Sequence, residues 1–348
     1  MRFDSVRELK QSLPQFLARH FSRGRGRLPR TGKLPEPMSI AAARAASFAS
    51  TLAGYALGIT ARPRNEYCLA VRLQHLSLVG SDLVATIRAR AKGEVEVRYI
   101  GRVTGGVRRR ASGLWYRQRQ RPLLVGTSCG YLRDDLVMAG TLGCFVQRRL
   151  GGPPMILSNN HVLADEGRYA RGGTIVQPGA LDGGDPAKDR IAGLTSFVRL
   201  RRLPRANYVD AAVAQLGAGI DFDPVELRGI GRLAGVAARS LDIGDEVHKV
   251  GRTTGARDGR VTAVEVDGLH VEYDTGIFRF DNQIEIEGRT ARAFSTSGDS
   301  GSLIVNGELG AAALLFAGSD VGGSGGRGLT YGNPIKAVVS RMRIQLVM

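Results

Sequence analysis

Cysteine, lysine and aromatic residues are scarce in this chain, and each scarcity removes a class of protein. Three cysteines among 348 residues, Cys68, Cys129 and Cys144, have no metal-ligand spacing and allow one disulfide at most. That excludes a disulfide-stapled scaffold and a cysteine-based zinc module. No His/Asp/Glu cluster has metal-ligand spacing either, and no glycine-rich phosphate loop follows a strand and opens a helix. Neither a metal nor a cofactor is therefore expected. Long apolar runs are missing too. The stretch from Met38 to Thr60 is rich in Ala, Ser and Gly but is interrupted by Arg44, so no membrane span is expected. Residues 1–37 are basic and weakly periodic, without the early apolar core of a signal peptide.

What remains is ordinary for a folded, soluble chain: 43% hydrophobic and 23% charged residues. Aromatics make up 6% and glycine is frequent at 47 residues, which suits tight turns in a mainly β body. The net charge is +17, but only 6 of the 49 basic residues are lysine. Arginine is spread along the chain, with clusters at Arg108 to Arg110, Arg117 to Arg121 and Arg199 to Arg205. The spread reads as compositional bias on solvated surface rather than a footprint for nucleic acid, and no zinc-finger or RNA-recognition motif accompanies it.

Patterning divides the chain into five parts. Residues 1–37 read as a flexible or partly helical basic tail, and Ser39 to Gly54 as a short helix. Residues 38–103 read as a small α+β unit of ββαβ order. Its elements are Tyr55 to Thr60, Tyr67 to Leu73, a helix capped by Ser81, and Glu94 to Gly101 alternating at strand period. An Arg/Gly-rich connector covers 104–121. Two series of short apolar runs, divided by Gly, Pro and Asp turns, then fill 122–222 and 223–348, the second ending in a closing helix. Strands of this length and spacing favour barrels over alternating β/α architecture.

Three segments carry chemistry. His161 ends the apolar run Leu157 to Leu163, Asp210 lies inside Val209 to Val213, and Ser300 sits in the turn Ser297-Gly298-Asp299-Ser300-Gly301. A serine hydroxyl is a weak nucleophile until a neighbouring base takes its proton. A histidine can do so near neutral pH, and an aspartate can hold that histidine in the needed tautomer. Any one of these segments alone reads as a core histidine, an edge aspartate or a glycine turn. Together, in the order His, Asp, Ser and separated by 49 and 90 residues, they read as a triad shared between two halves. The backbone N–H groups of Gly298 and Ser300 are the expected oxyanion donors. His20, His75, His248 and His270 lack such neighbours and read as structural.

The segments Leu157 to Ala164, Val209 to Leu216, Lys249 to Gly255 and Gly298 to Val305 resemble those of chymotrypsin-fold (trypsin-like) serine peptidases. With Gly140 to Val146 they are most similar to the plant narrow-leaf-type peptidases and their bacterial relatives, over roughly residues 55–345. The resemblance implies a mainly β fold of two six-stranded antiparallel barrels preceded by a small α+β domain. It implies serine endopeptidase activity on protein or peptide substrates, with His161, Asp210 and Ser300 catalytic and no cofactor. It also suggests a substrate pocket walled by Phe294, Phe316, Ala317, Gly318 and Thr330, taking a small or apolar residue. Homo-oligomerisation is compatible with it. Val162 stands where secreted relatives often carry a cysteine, which points to a reducing, cytoplasmic setting, with atypical export left open.

Two departures from the pattern bear on mechanism. About 120 residues precede the barrels, so Asp299 is expected to find an arginine or backbone donors rather than a newly cut N-terminus, although cleavage in the arginine-rich connector before residue 122 stays open. Phe294, rather than an acid, lies six before Ser300, which argues against a preference for Lys or Arg. The rival readings are a catalytically silent binding module for an acidic partner or nucleic acid, and a high-temperature-requirement-type protease. The 48 residues after Ser300 are expected to finish the barrel and little else, against the peptide-binding domain usual in the latter.

Overall fold

Residue burial along the first segment has a helical period: Val6, Lys10, Leu13, Leu17 and Phe21 are all buried. The computed structural model of the chain describes residues 1–22, 54–62, 66–105, 114–133, 136–290 and 292–348. In it, helix α1 runs over Phe3–Ser22. Of the tail expected to be flexible or partly helical, this part is helical and packed on the rest. The stripe at three- and four-residue spacing is enough to dock the helix, and Arg7 and Lys10 tie it to Glu265 and Asp267. The helix expected over 39–54 lies outside the described residues, as do residues 106–113 of the connector.

Strands β1 (Tyr55–Arg62) and β2 (Glu66–Leu73) pair antiparallel, and β3 (Val95–Tyr99) lies parallel to β2 after helix α2 (Asp82–Arg90). The short β4 (Val103–Thr104) follows. A first sheet is then built from β5 (Ser128–Arg133), β6 (Cys144–Arg148), β7 (Met155–Ser158), β8 (Thr174–Val176), β9 (Arg190–Phe197) and β10 (Ala212–Leu216). They pair antiparallel in the order β6-β7-β10-β9-β8-β5. Helix α3 (Asn160–Leu163) interrupts the sheet after β7.

The second sheet uses β11 (Glu246–Gly251), β12 (Gly255–Asp267), β13 (Leu269–Tyr273), β14 (Gly276–Phe280), β15 (Gln283–Gly288), β16 (Leu303–Asn306), β17 (Ala311–Gly322) and β18 (Gly328–Pro334). Six of these close a ring of antiparallel ladders, β11-β12-β15-β18-β17-β16 and back to β11. The first sheet is a half-barrel, since no ladder joins β5 to β6 among the described residues. The protein is thus mainly β, a closed barrel beside an open one, which is the chymotrypsin-like arrangement. After helix α4 (Ile335–Met342), β19 (Ile344–Leu346) returns to pair with β6 of the first sheet.

Two connections matter for the site. β1 pairs with β12, and one apolar cluster runs from α1, β1, β2 and α2 into Val247, Val261, Ile286, Phe294 and Ile304 of the closed barrel. Hydrophobic burial thus makes the leading ββαβ unit and the second barrel one packed body. The β13–β14 hairpin stands out from the barrel, bound parallel to β4, while β4 lies antiparallel on β17 at Gly318 and Ser319.

Candidate active site

His161 lies on α3, one turn beyond the buried end of β7, and Asp210 just before β10, which pairs with β7. Strand pairing therefore brings these two residues together. His161 Nδ1 is 2.6 Å from Asp210 Oδ2. Asp210 Oδ1 accepts the Asn160 N–H at 2.7 Å, and Oδ2 also accepts the Tyr273 hydroxyl at 2.7 Å. Three donors on one side chain fit a carboxylate, which only accepts. The tautomer of His161 that fits such an acceptor is protonated at Nδ1, which leaves the lone pair on Nε2. That Nε2 is buried and has no hydrogen-bond partner among the described residues. The backbone of Asp210 is fixed from both barrels: Asn159 Nδ2 donates to its carbonyl, and its N–H donates to Asn333 Oδ1 on β18.

Ser300 is carried by a turn ahead of β16. Thr141 of the first sheet clamps that turn: its N–H donates to the Ser300 carbonyl at 2.8 Å, and its hydroxyl to the Gly298 carbonyl at 3.1 Å. Ser158, three residues before His161, donates to the Thr141 carbonyl at 2.7 Å. The space around Gly140 shows how near the two halves lie. A Cβ there would fall 2.5 Å from Val162 and 3.0 Å from the Ser300 carbonyl oxygen. Among the described residues the Gly298 and Ser300 N–H groups donate to no acceptor, which leaves both unspent. Gly298 has φ +93°, and a Cβ on it would meet Arg252 Nη1 and Thr253 Oγ1 at 2.5 Å. Only glycine fits that turn. His161 is 2% exposed and Ser300 5%, so both side chains are shielded, with no hydrogen bond between the Ser300 hydroxyl and His161.

Asp299, beside Ser300, is wholly buried and finds its partner in Lys249 of β11, at 3.1 Å. It also accepts from the N–H groups of Thr253, Thr254 and Thr296 and from the Thr254 hydroxyl. Burial alone would raise this carboxyl, but Lys249 and the donors hold it below its ordinary value. Backbone donors were expected here; the cation is a lysine rather than an arginine. Gly251 leaves room for the pair, since a Cβ there would lie 2.5 Å from Asp299 Oδ1 and 2.9 Å from Lys249 Nζ. A second buried pair, Arg252 Nε with Asp182 Oδ2 at 2.6 Å, joins the barrels beneath the same turn.

The residues expected to wall a substrate pocket are mostly interior. Phe294 packs in the barrel core against Gly259, Phe316 stacks near Phe280 at 4.7 Å between centroids, and Ala317 is buried beside them. Thr330 shares a 2.6 Å hydrogen bond with Ser295, and Gly318 is partly exposed under β4. Sequence reading missed Tyr273, Thr141 and Lys249. For Lys249 there was a signal: a lysine inside the apolar strand run Val247 to Gly251, in a chain that uses arginine nearly everywhere else. All three cysteines are buried and free. Among the described residues no group of His, Cys, Asp and Glu is arranged to hold a metal, and no helix is long and apolar enough to cross a membrane.

No protein-family model matches the chain, and no curated protein matches it in sequence. Solved structures resemble it at low identity. Thermobifida fusca protease A is 17% identical with a TM-score of 0.45, covering 65% of this chain and 98% of that one. Cellulomonas bogoriensis chymotrypsin is 19% identical with a TM-score of 0.43, covering 64% and 97%. The Nocardiopsis protease is 16% identical with a TM-score of 0.46, covering 65% and 98%. The fold assignment rests on the strand ladders themselves.

Proposed function

We propose that this protein is a serine endopeptidase acting through an acyl-enzyme. The observation that carries the reading is the Asp210–His161 pair with its Nε2 lone pair unspent, beside a serine turn clamped by Thr141. Ser300 Oγ attacks the peptide carbonyl carbon while its proton passes to His161 Nε2. The Gly298 and Ser300 N–H groups receive the oxyanion, and Asp210 stabilises the imidazolium. Collapse breaks the C–N bond, with the His161 proton going to the leaving amine. Water then hydrolyses the ester by the same route in reverse order of roles. The Gly140 to Val146 and Gly298 to Val305 segments support a kinship with narrow-leaf-type peptidases. The absence of an acid six before Ser300, where Phe294 stands, supports cleavage after residues other than Lys or Arg, which a peptide library would check.

The direct test is adduct formation with a fluorophosphonate probe, read by intact mass. Wild type should gain one adduct, and Ser300→Ala and His161→Ala should gain none. A folded wild type without adduct, or an adduct that survives Ser300→Ala, would overturn the reading. The shielding of His161 and Ser300 favours a second one, in which the fold serves as a silent binding module for an acidic partner or nucleic acid. Steeply salt-dependent DNA binding retained by Ser300→Ala would mark it.

A further inference from the structure

We propose that Tyr273 is a positioning residue of the triad, whose hydroxyl holds Asp210 ionised and in plane for His161. The inference rests on reading the site as a proton-transfer triad. Tyr273 ends β13, on a different element from all three triad members. Its hydroxyl reaches Asp210 Oδ2 at 2.7 Å, the same oxygen that His161 Nδ1 meets at 2.6 Å. With Asn160 N–H on Oδ1, rotation of the carboxylate would break all three bonds. The site is dry, with Asp210 fully buried, so a carboxylate there depends on the donors around it for the stabilisation that water gives elsewhere. A protonated Asp210 would no longer hold the proton on Nδ1, and the Nε2 base would be lost. A neutral phenol opposes that outcome without adding charge.

The placement of the hydroxyl is built, not incidental. The ring lies 5.4 Å from the His161 imidazole, with Phe278 edge-on at 5.7 Å. Gly105 leaves the ring its space, since a Cβ there would fall 2.3 Å from Tyr273 Cε1. The turn after Tyr273 is gripped by the loop after α3. Glu166 accepts the N–H of Asp274 at 3.1 Å and of Thr275 at 2.9 Å. Glu166 holds φ +56° to do so, an uncommon conformation for a non-glycine residue. The segment that carries His161 thus fixes the hairpin that carries Tyr273.

The test reads His161 itself. Ring ¹⁵N shifts of His161, assigned by difference from His161→Gln, are followed against pH in the full chain carrying Ser300→Ala. A hydrogen bond donated to an anion stabilises it, so removing the hydroxyl favours the protonated pair and raises its midpoint. Tyr273→Phe should raise the midpoint by about 1 unit, and 3-fluorotyrosine at 273, a stronger donor of the same shape, should lower it. Phe278→Leu, which loosens the ring's packing only, should leave it in place. The other charged groups nearby are Asp165, Glu166 and Arg168 on the α3 loop, Arg133 beside Asp165, and Glu272 and Asp274 on the hairpin with Arg102. None of these changes in the variants. An unmoved midpoint in both Tyr273 replacements would overturn the proposal. Because Ser300 is absent from these proteins, the answer is independent of the probe assay. A moved midpoint with an unlabelled wild type would retain the role of Tyr273 and remove the peptidase reading. An unmoved midpoint with a labelled wild type would do the reverse.

Discussion

Asp299 is a carboxylate with no water around it, and Lys249 is the cation that makes this tolerable. Removing one member of a buried pair leaves an uncompensated charge, which typically costs about 3–5 kcal/mol. Lys249→Met should therefore lower unfolding free energy by about that amount in urea titrations. It should also slow probe labelling, because Asp299 anchors the turn between the two expected oxyanion donors. Lys249→Met combined with Asp299→Asn should recover part of the stability. At this scale the sequence drew attention to residues that sit in a telling local string: His161 after Ser-Asn-Asn, Asp210 between valine and alanine, Ser300 between aspartate and glycine. Tyr273 was not readable, because its partner lies 63 residues away and nothing in Val271 to Asp274 marks a hydroxyl as buried. The largely interior placement of the residues expected to wall a substrate pocket was not readable either. Which face of β17 and β18 turns inward depends on barrel closure, which no single strand encodes.

Arg72 on β2 and Glu285 on β15 form the pair that fastens the leading unit to the barrel. Arg72 Nε meets Glu285 Oε2 at 2.8 Å with both side chains wholly buried, and the Thr262 and Tyr331 hydroxyls complete the carboxylate. Arg72→Met should cost about 3–5 kcal/mol, whereas Arg72→Met with Glu285→Leu should cost much less, since the buried charge goes with its partner. Chemical denaturation of the two variants checks this. Element types were legible from period: β1, β2, α2 and β3 fall where alternation and the Ser81 start predicted them. Helix α1 was legible in principle, as its stripe has the right spacing, but basic residues and Pro14 inside it masked the signal. The short β4 and β19 were not legible, because a two- or three-residue strand exists only through its neighbour.

Across the whole molecule, buried carboxylates set the response to acid. Burial would raise Glu285 and Asp299, but Arg72 and Lys249 outweigh it, and both lie below their ordinary values of 4.5 and 3.8. A depressed carboxyl stabilises the fold above its unfolded value, and that stability is lost as pH falls through the folded value. The melting temperature should thus stay level from neutral pH down to about pH 4 and fall steeply below it. The Arg72→Met, Glu285→Leu double variant should show a shallower fall, read by calorimetry across pH. The broad architecture followed from strand spacing and turn residues, while the openness of the first barrel did not, since it depends on one ladder, between β5 and β6, that is absent among the described residues.

The ladder from β1 onto the thirteen-residue β12 has a bearing on engineering. A unit joined to its neighbour by a tether can be cut off and attached elsewhere. One that shares a strand edge and an apolar core with its neighbour cannot. Transplanting residues 55–99 to another protein would require a host offering both an open edge to receive β1 and an acid to meet Arg72. Here the front of the molecule is part of the barrel wall, and the two are inherited or redesigned as one piece.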